Sequence, residues 1–190
     1  IGWSESNAVI YANSVLGART LKIPDYLDLF VAMTGRAPYC GTYMDSGRQA
    51  RRIVELAAVP ADVNDGFWPL LGWVLGKFSP DRIPLLRGLE KINIDDDAMK
   101  AICAAFGSTS GAPMLHIAGH TPEASMPSAP AADRVTIDRE MLADAWRQLN
   151  SGGADIDLVA IGSPHLSLAE VHLIDAALDG RHCHADVKLI

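Results

Sequence analysis

The chain has 190 residues, of which 49% are hydrophobic and 21% charged, an ordinary globular balance for one large domain or two small ones. Its net charge of −7 excludes a broad basic face for nucleic acid or an anionic membrane, but not a small anionic substrate held by a few arginines. Three cysteines without CxxC spacing exclude a disulfide framework and, with no 18-residue apolar run and no signal-peptide pattern, fit a reducing, cytoplasmic setting.

Taken in chain order, Val9, Ile10, Val15 and Leu16 among small residues predict a packed helix from Asn7 to Leu16. Pro24 suits the first turn of a second helix, which carries Leu27, Leu29, Phe30 and Met33 and stops at Gly35. Arg51 to Val59 reads as a strand, Phe67 to Phe78 as a buried helix, and Ile83 to Leu86 as a short apolar element. Asp95 can cap a helix running to Phe106 and ending at Gly107. Met114 to Ala118 reads as a buried strand. Residues 119–133 are rich in Pro, Ala and Ser and lack periodicity, which marks a boundary or a long functional loop. Beyond it come a helix from about Asp138 to Leu149, a strand at Leu158 to Ile161, and a helix opened by the S-x-x-E pair Ser167 and Glu170. That last helix is expected to bury Val171, Ile174 and Leu178, and Val187 to Ile190 begins another strand.

Helices alternating with short apolar strands imply an α/β fold: mainly parallel-sheet layers with flanking helices. The expected organisation is a first α/β portion over 1–118, the loop or boundary at 119–133, and a second, Rossmann-like portion over 134–190. The chain opens on Ile1 and closes in a strand pattern, so it is expected to be a piece of a longer polypeptide.

Three constellations carry candidate chemistry. Trp3-Ser4-Glu5-Ser6-Asn7 gathers polar groups at the start of a helix, as a cap or as a seat for a carboxylate. Gly17-Ala18-Arg19-Thr20 and Thr34-Gly35-Arg36 each place an Arg at a helix end, as a dipole partner or as a clamp on a substrate carboxylate. Gly162-Ser163-Pro164-His165 follows a strand and precedes a capped helix, the position where open α/β sheets bind ligands. There His165 is a tight-turn surface residue or a general acid or base. Other matches fail. Gly107 to Gly111 has Thr109 where a nucleophilic Ser would stand. His116 and His120 share no helix face. His182-Cys183-His184, read as strand, would point its side chains to opposite faces.

Together, Trp3 to Val9, Ala12 to Thr20, Asp25 with Leu27-Asp28, Thr34 to Pro38, Gly72-Trp73, Pro84-Leu85, Thr121 to Ala124 and Pro164 to Ser167 resemble the large-subunit part of the aconitase X family. The resemblance implies a hydro-lyase that dehydrates a small hydroxy acid. Some members convert cis-3-hydroxy-L-proline, through an enamine, to 1-pyrroline-2-carboxylate; an archaeal type dehydrates mevalonate 5-phosphate. It implies an iron–sulfur cluster on three cysteines in the complete protein, and a small subunit or fused small domain that closes the active site. Where the family pattern has Gly-Cys-Pro-His, this chain has Ser163, which lacks the thiolate a cluster ligand needs.

On this resemblance Ser4, Asn7, Arg19, Thr34 and Arg36 bind substrate, Glu5, Ser6 and His165 are the catalytic candidates, and Ser163 stands at the metal position. The expected substrate is cis-3-hydroxy-L-proline. Arg outnumbers Lys 11 to 5 and Ala numbers 27, a composition closer to bacterial than to hyperthermophilic archaeal usage. The alternatives are mevalonate 5-phosphate dehydration and a non-catalytic relative whose cluster site is lost.

Overall fold

A computed structural model describes residues 6–22, 25–60, 63–153, 155–162 and 164–190, without the side chains of Ser6, Asn7 and Asp25. Ser4, Glu5, Pro24 and Ser163 lie outside the described residues. The chain divides into two compact units, 1–146 and 147–190. The 119–133 stretch lies inside the first.

The first unit is built on four parallel strands: β1 (Arg52–Leu56), β2 (Pro84–Arg87), β3 (His116–Ile117) and β4 (Asp133–Ile137). Their order is β3-β2-β1-β4. Helix α3 (Phe67–Phe78) joins β1 to β2, and α4 (Asp96–Thr109) joins β2 to β3. Parallel neighbours require such crossovers. In register, Val54 lies beside Leu86 and Val135, and Leu86 beside Ile117. Val54, Leu86, Ile117 and Ile137 point into the core with Leu71, Leu75, Ile102 and Phe106 of the helices, all buried. Alternation puts Ile53, Leu85 and His116 on the other face.

The glycines of α3 explain the close helix pairing. A Cβ at Gly72 would meet the Ile102 carbonyl, and one at Gly76 would meet the Thr109 hydroxyl. A helix that looks interrupted in sequence is therefore one whose backbone approaches its neighbour. Asp95 caps α4 by accepting from the Ala98 N–H at 2.8 Å. The helix runs through Gly107 to Thr109, two residues past the expected stop at Gly107.

Helix α1 (Ser6–Ser14) packs on α4, and α2 (Asp25–Thr34) ends at Gly35, whose φ of 64° is the left-handed value a glycine adopts freely. Two differences from the sequence reading stand out. Strand β1 stops at Leu56 rather than Val59. Residues 133–137 form an edge strand where the sequence pattern predicts only the end of the loop and the approach to the next helix. Helix α5 (Arg139–Leu149) follows it, with Leu142 and Ala145 buried.

The second unit is one βαβ turn. Strands β5 (Leu158–Val159) and β6 (Lys188–Leu189) are parallel, and α6 (Leu168–Leu178) connects them. The expected capping box is present: Ser167 accepts from the Glu170 N–H, and Glu170 accepts from the Ser167 N–H. The expected burial is not. No side chain of α6 is buried, and Val171 and Leu178 are 45% and 36% exposed. Two short strands and one helix supply no second layer to cover them. Residues 181–184 are irregular rather than strand, so the alternation argument against a metal at His182, Cys183 and His184 does not apply. No helix among the described residues is long and apolar enough to cross a membrane.

Candidate functional site

The best-organised polar cluster forms where α1 ends. Gly17, at φ 66°, turns the chain, and the Ala18 N–H donates back to the Ala12 carbonyl at 2.9 Å. Asn13, fully buried, fastens this turn. Its amide donates to the carbonyls of Thr20 and Pro113 at 2.9 and 3.0 Å, and its oxygen accepts from the Thr20 N–H at 3.0 Å. Lys22 donates to the carbonyls of Gly107 and Ser110, tying the segment to the end of α4. The turn that carries Arg19 is thus held at both ends.

Arg48 lies beneath it with no exposed side-chain surface. It donates to Glu123 at 2.6 Å and to the carbonyls of Asn13, Ala18 and Thr42 at 2.9, 3.0 and 3.2 Å. A fully buried guanidinium is tolerable only when paired and hydrogen-bonded, and here it is both. Glu123 comes from the Pro- and Ala-rich stretch. Pro122 packs on Gly17, and the Thr121 hydroxyl accepts from the Ile117 N–H at 3.0 Å. Two motifs about a hundred residues apart therefore meet as one surface.

His116 closes the back of the cluster. Its Nε2 lies 2.7 Å from the Arg48 carbonyl. A carbonyl only accepts, so Nε2 carries the proton and Nδ1 is the lone-pair side. Nδ1 is buried and without a partner among the described residues. Burial pushes the His116 pKa down, with the Arg48 carbonyl opposing.

Arg19 is the part of the cluster open to solvent. It donates to the Tyr43 carbonyl at 3.0 Å, pairs with Asp45, and reaches within 4.0 Å of Glu123. Thr34 and Arg36 are elsewhere, at the end of α2. The Thr34 hydroxyl donates to the Phe30 carbonyl at 2.7 Å and accepts from the Arg36 N–H at 3.3 Å, a helix-end arrangement. Ser6 and Asn7 stand in the first turn of α1, but their side chains, like Ser4, Glu5 and Ser163, lie outside the described residues. His165 is exposed and belongs to the second unit.

Of the expected residues, the structure joins Arg19 to Asp45 and, at 4.0 Å, to Glu123, with Arg48 and His116 behind Glu123; the sequence assigns none of these four a place in the site. The only sequence trace of this grouping was Glu123 within the Thr121 to Ala124 motif.

The cysteines do not fit an iron–sulfur cluster within this chain. Cys103 is buried on α4, and burial pushes its thiol up to about 12. Cluster ligation needs thiolate. Cys40 and Cys183 are exposed, in different units. Among the described residues no three His, Cys, Asp or Glu side chains group to hold a metal ion.

A parallel α/β layer with a fixed Arg and acid cluster beside its β3 edge defines the class. Comparison with known proteins then gives the family. The aconitase X first-domain model matches residues 1–46 and the second-domain model residues 50–147. The chain belongs to the aconitase X family. It is 44% identical, over its whole length, to a cis-3-hydroxy-L-proline dehydratase of Pseudomonas aeruginosa and 42% identical to one of Hypocrea jecorina. It spans 34% and 33% of those proteins. It is 32% identical to the phosphomevalonate dehydratase large subunit of Methanocaldococcus jannaschii, with 98% of this chain matching 48% of that one. The crystal structure of Thermococcus kodakaraensis aconitase X, in its holo-form, superposes with a TM-score of 0.86 at 30% identity, covering all of this chain and 48% of that one.

Proposed function

We propose that this chain is the central part of the large portion of a hydro-lyase that dehydrates cis-3-hydroxy-L-proline to 1-pyrroline-2-carboxylate. The observation that carries this reading is the 42–44% identity across the whole chain to two dehydratases of that name, against 32% to a phosphomevalonate enzyme. Around the turn, Arg19 and Arg48 face Asp45 and Glu123.

In the reaction a base removes the α-proton, the 3-hydroxyl leaves as water with an added proton, and the resulting enamine shifts to the imine. Arg19 is placed in this reading on the substrate carboxylate, where it stabilises charge as the α-carbon is deprotonated. Arg48, Asn13 and Glu123 fix its turn. Ser4 and Asn7 remain candidate partners of the carboxylate, Thr34 and Arg36 candidate binding residues, and Glu5, Ser6 and His165 candidates for moving or orienting protons. The complete protein's cluster takes no thiolate from Cys103, and Ser163 stands where the family pattern has Cys. A small subunit or fused small domain closes the site.

Assay of the complete protein against cis-3-hydroxy-L-proline and mevalonate 5-phosphate in parallel tests the proposal. Turnover of the amino acid alone is expected. Turnover of the phosphate ester alone transfers the chain to the other branch of the family, and no turnover of either supports a non-catalytic relative.

A further inference from the structure

We infer that Asp45 is a built-in competitor for the substrate carboxylate: it occupies the Arg19 guanidinium and is the acid an incoming carboxylate replaces. The inference rests on the reading of Arg19 as the carboxylate clamp. A ligand carboxylate aimed at Arg19 meets Asp45 already on Nη2, with Nη1 on the Tyr43 carbonyl, and two carboxylates repel each other at that spot unless the resident one gives way. Glu123 cannot. It is 2.6 Å from Arg48, whose side chain has no exposed surface, and it is the carboxylate that compensates that buried charge. Asp45 can. Its side chain is 77% exposed, so water resolvates it fully when it lets go. Nothing else in the cluster has to move. Arg19 keeps its 3.0 Å bond to the Tyr43 carbonyl, and the 3₁₀ turn Asp45–Gly47 is held by its own backbone, the Arg48 N–H donating to the Asp45 carbonyl at 3.0 Å.

The test compares the complete protein with its D45N, R19A and D45N/R19A variants, using L-proline as probe in isothermal titration calorimetry. Asn keeps the size of Asp45 and removes its charge. The expected result is that D45N tightens L-proline binding by about two- to fivefold, the worth of an exposed ion pair, and that the gain disappears in the R19A background. Unchanged or weaker binding by D45N, or no binding of L-proline to D45N, overturns the exchange. A gain that persists without Arg19 also overturns it. Absence of cis-3-hydroxy-L-proline turnover in the unmutated protein is a separate result, which removes the proposed function and not the exchange.

Discussion

The two units use similar βαβ pieces and reach opposite ends. In residues 1–146 the sheet is covered by α3 and α4, and Ile102, Phe106, Leu71 and Leu86 are fully buried. In residues 147–190 a well-capped helix buries nothing, with Leu168 at 72% and Leu173 at 67% exposure. Capping and strand pairing thus form an element without stabilising a core. A second packed layer makes the difference, and among the described residues only those of the first unit supply one.

That contrast can be broken at several points. The largest effect concerns thiol reactivity. With its thiol pushed up to about 12 by burial, Cys103 holds on the order of a thousandfold less thiolate than an ordinary cysteine. Mass spectrometry after brief iodoacetamide treatment should find Cys40 and Cys183 modified and Cys103 untouched until denaturant is added. Early modification of Cys103 would mean that the first unit's core is open.

Next is the buried ion pair. E123A leaves Arg48 buried without a counter-charge and should cost about 3–5 kcal/mol in denaturant melts of the complete protein. I102A removes a fully buried side chain between α3 and α4 and should cost about 2–4 kcal/mol. L173A on α6 is the matched control and should stay within about 0.5 kcal/mol if nothing else covers that helix. A loss as large as that of I102A would show that α6 is covered in the complete protein.

His116 adds a pH dependence of known sign. Its folded pKa is below the unfolded value, so the unfolded chain takes up the proton first as pH falls. Stability should be full above the ordinary histidine range and decline as pH drops below about 6.5. H116Q should flatten that decline, measured by melts at pH 7.5 and 5.5.

Sequence carried the local features well. The Asp95 cap, the Ser167 and Glu170 box and the buried Phe67 to Phe78 helix depend on neighbours within a few turns. Strand β4 was missed because the Pro- and Ala-rich run extends to its first residue and its alternation is only five residues long. The Arg19 turn was legible as a motif, but its support was not. Arg48 and Glu123 are 75 residues apart, and neither has a local signature that marks the pairing. The exposure of α6 was equally hidden, because its apolar positions read as a core stripe and nothing in a single sequence says whether a layer lies above them.

The most direct measurement is the effect of R19A on cis-3-hydroxy-L-proline dehydration by the complete protein, with R36A alongside. Arg19 sits in a turn fixed by Asn13, Arg48 and Glu123, whereas Arg36 stands at an exposed helix end. R19A is expected to lose at least about tenfold in kcat/KM and R36A less, with little change in melting temperature for either. Unchanged kinetics for R19A would contradict this and remove the α1 turn from the active site.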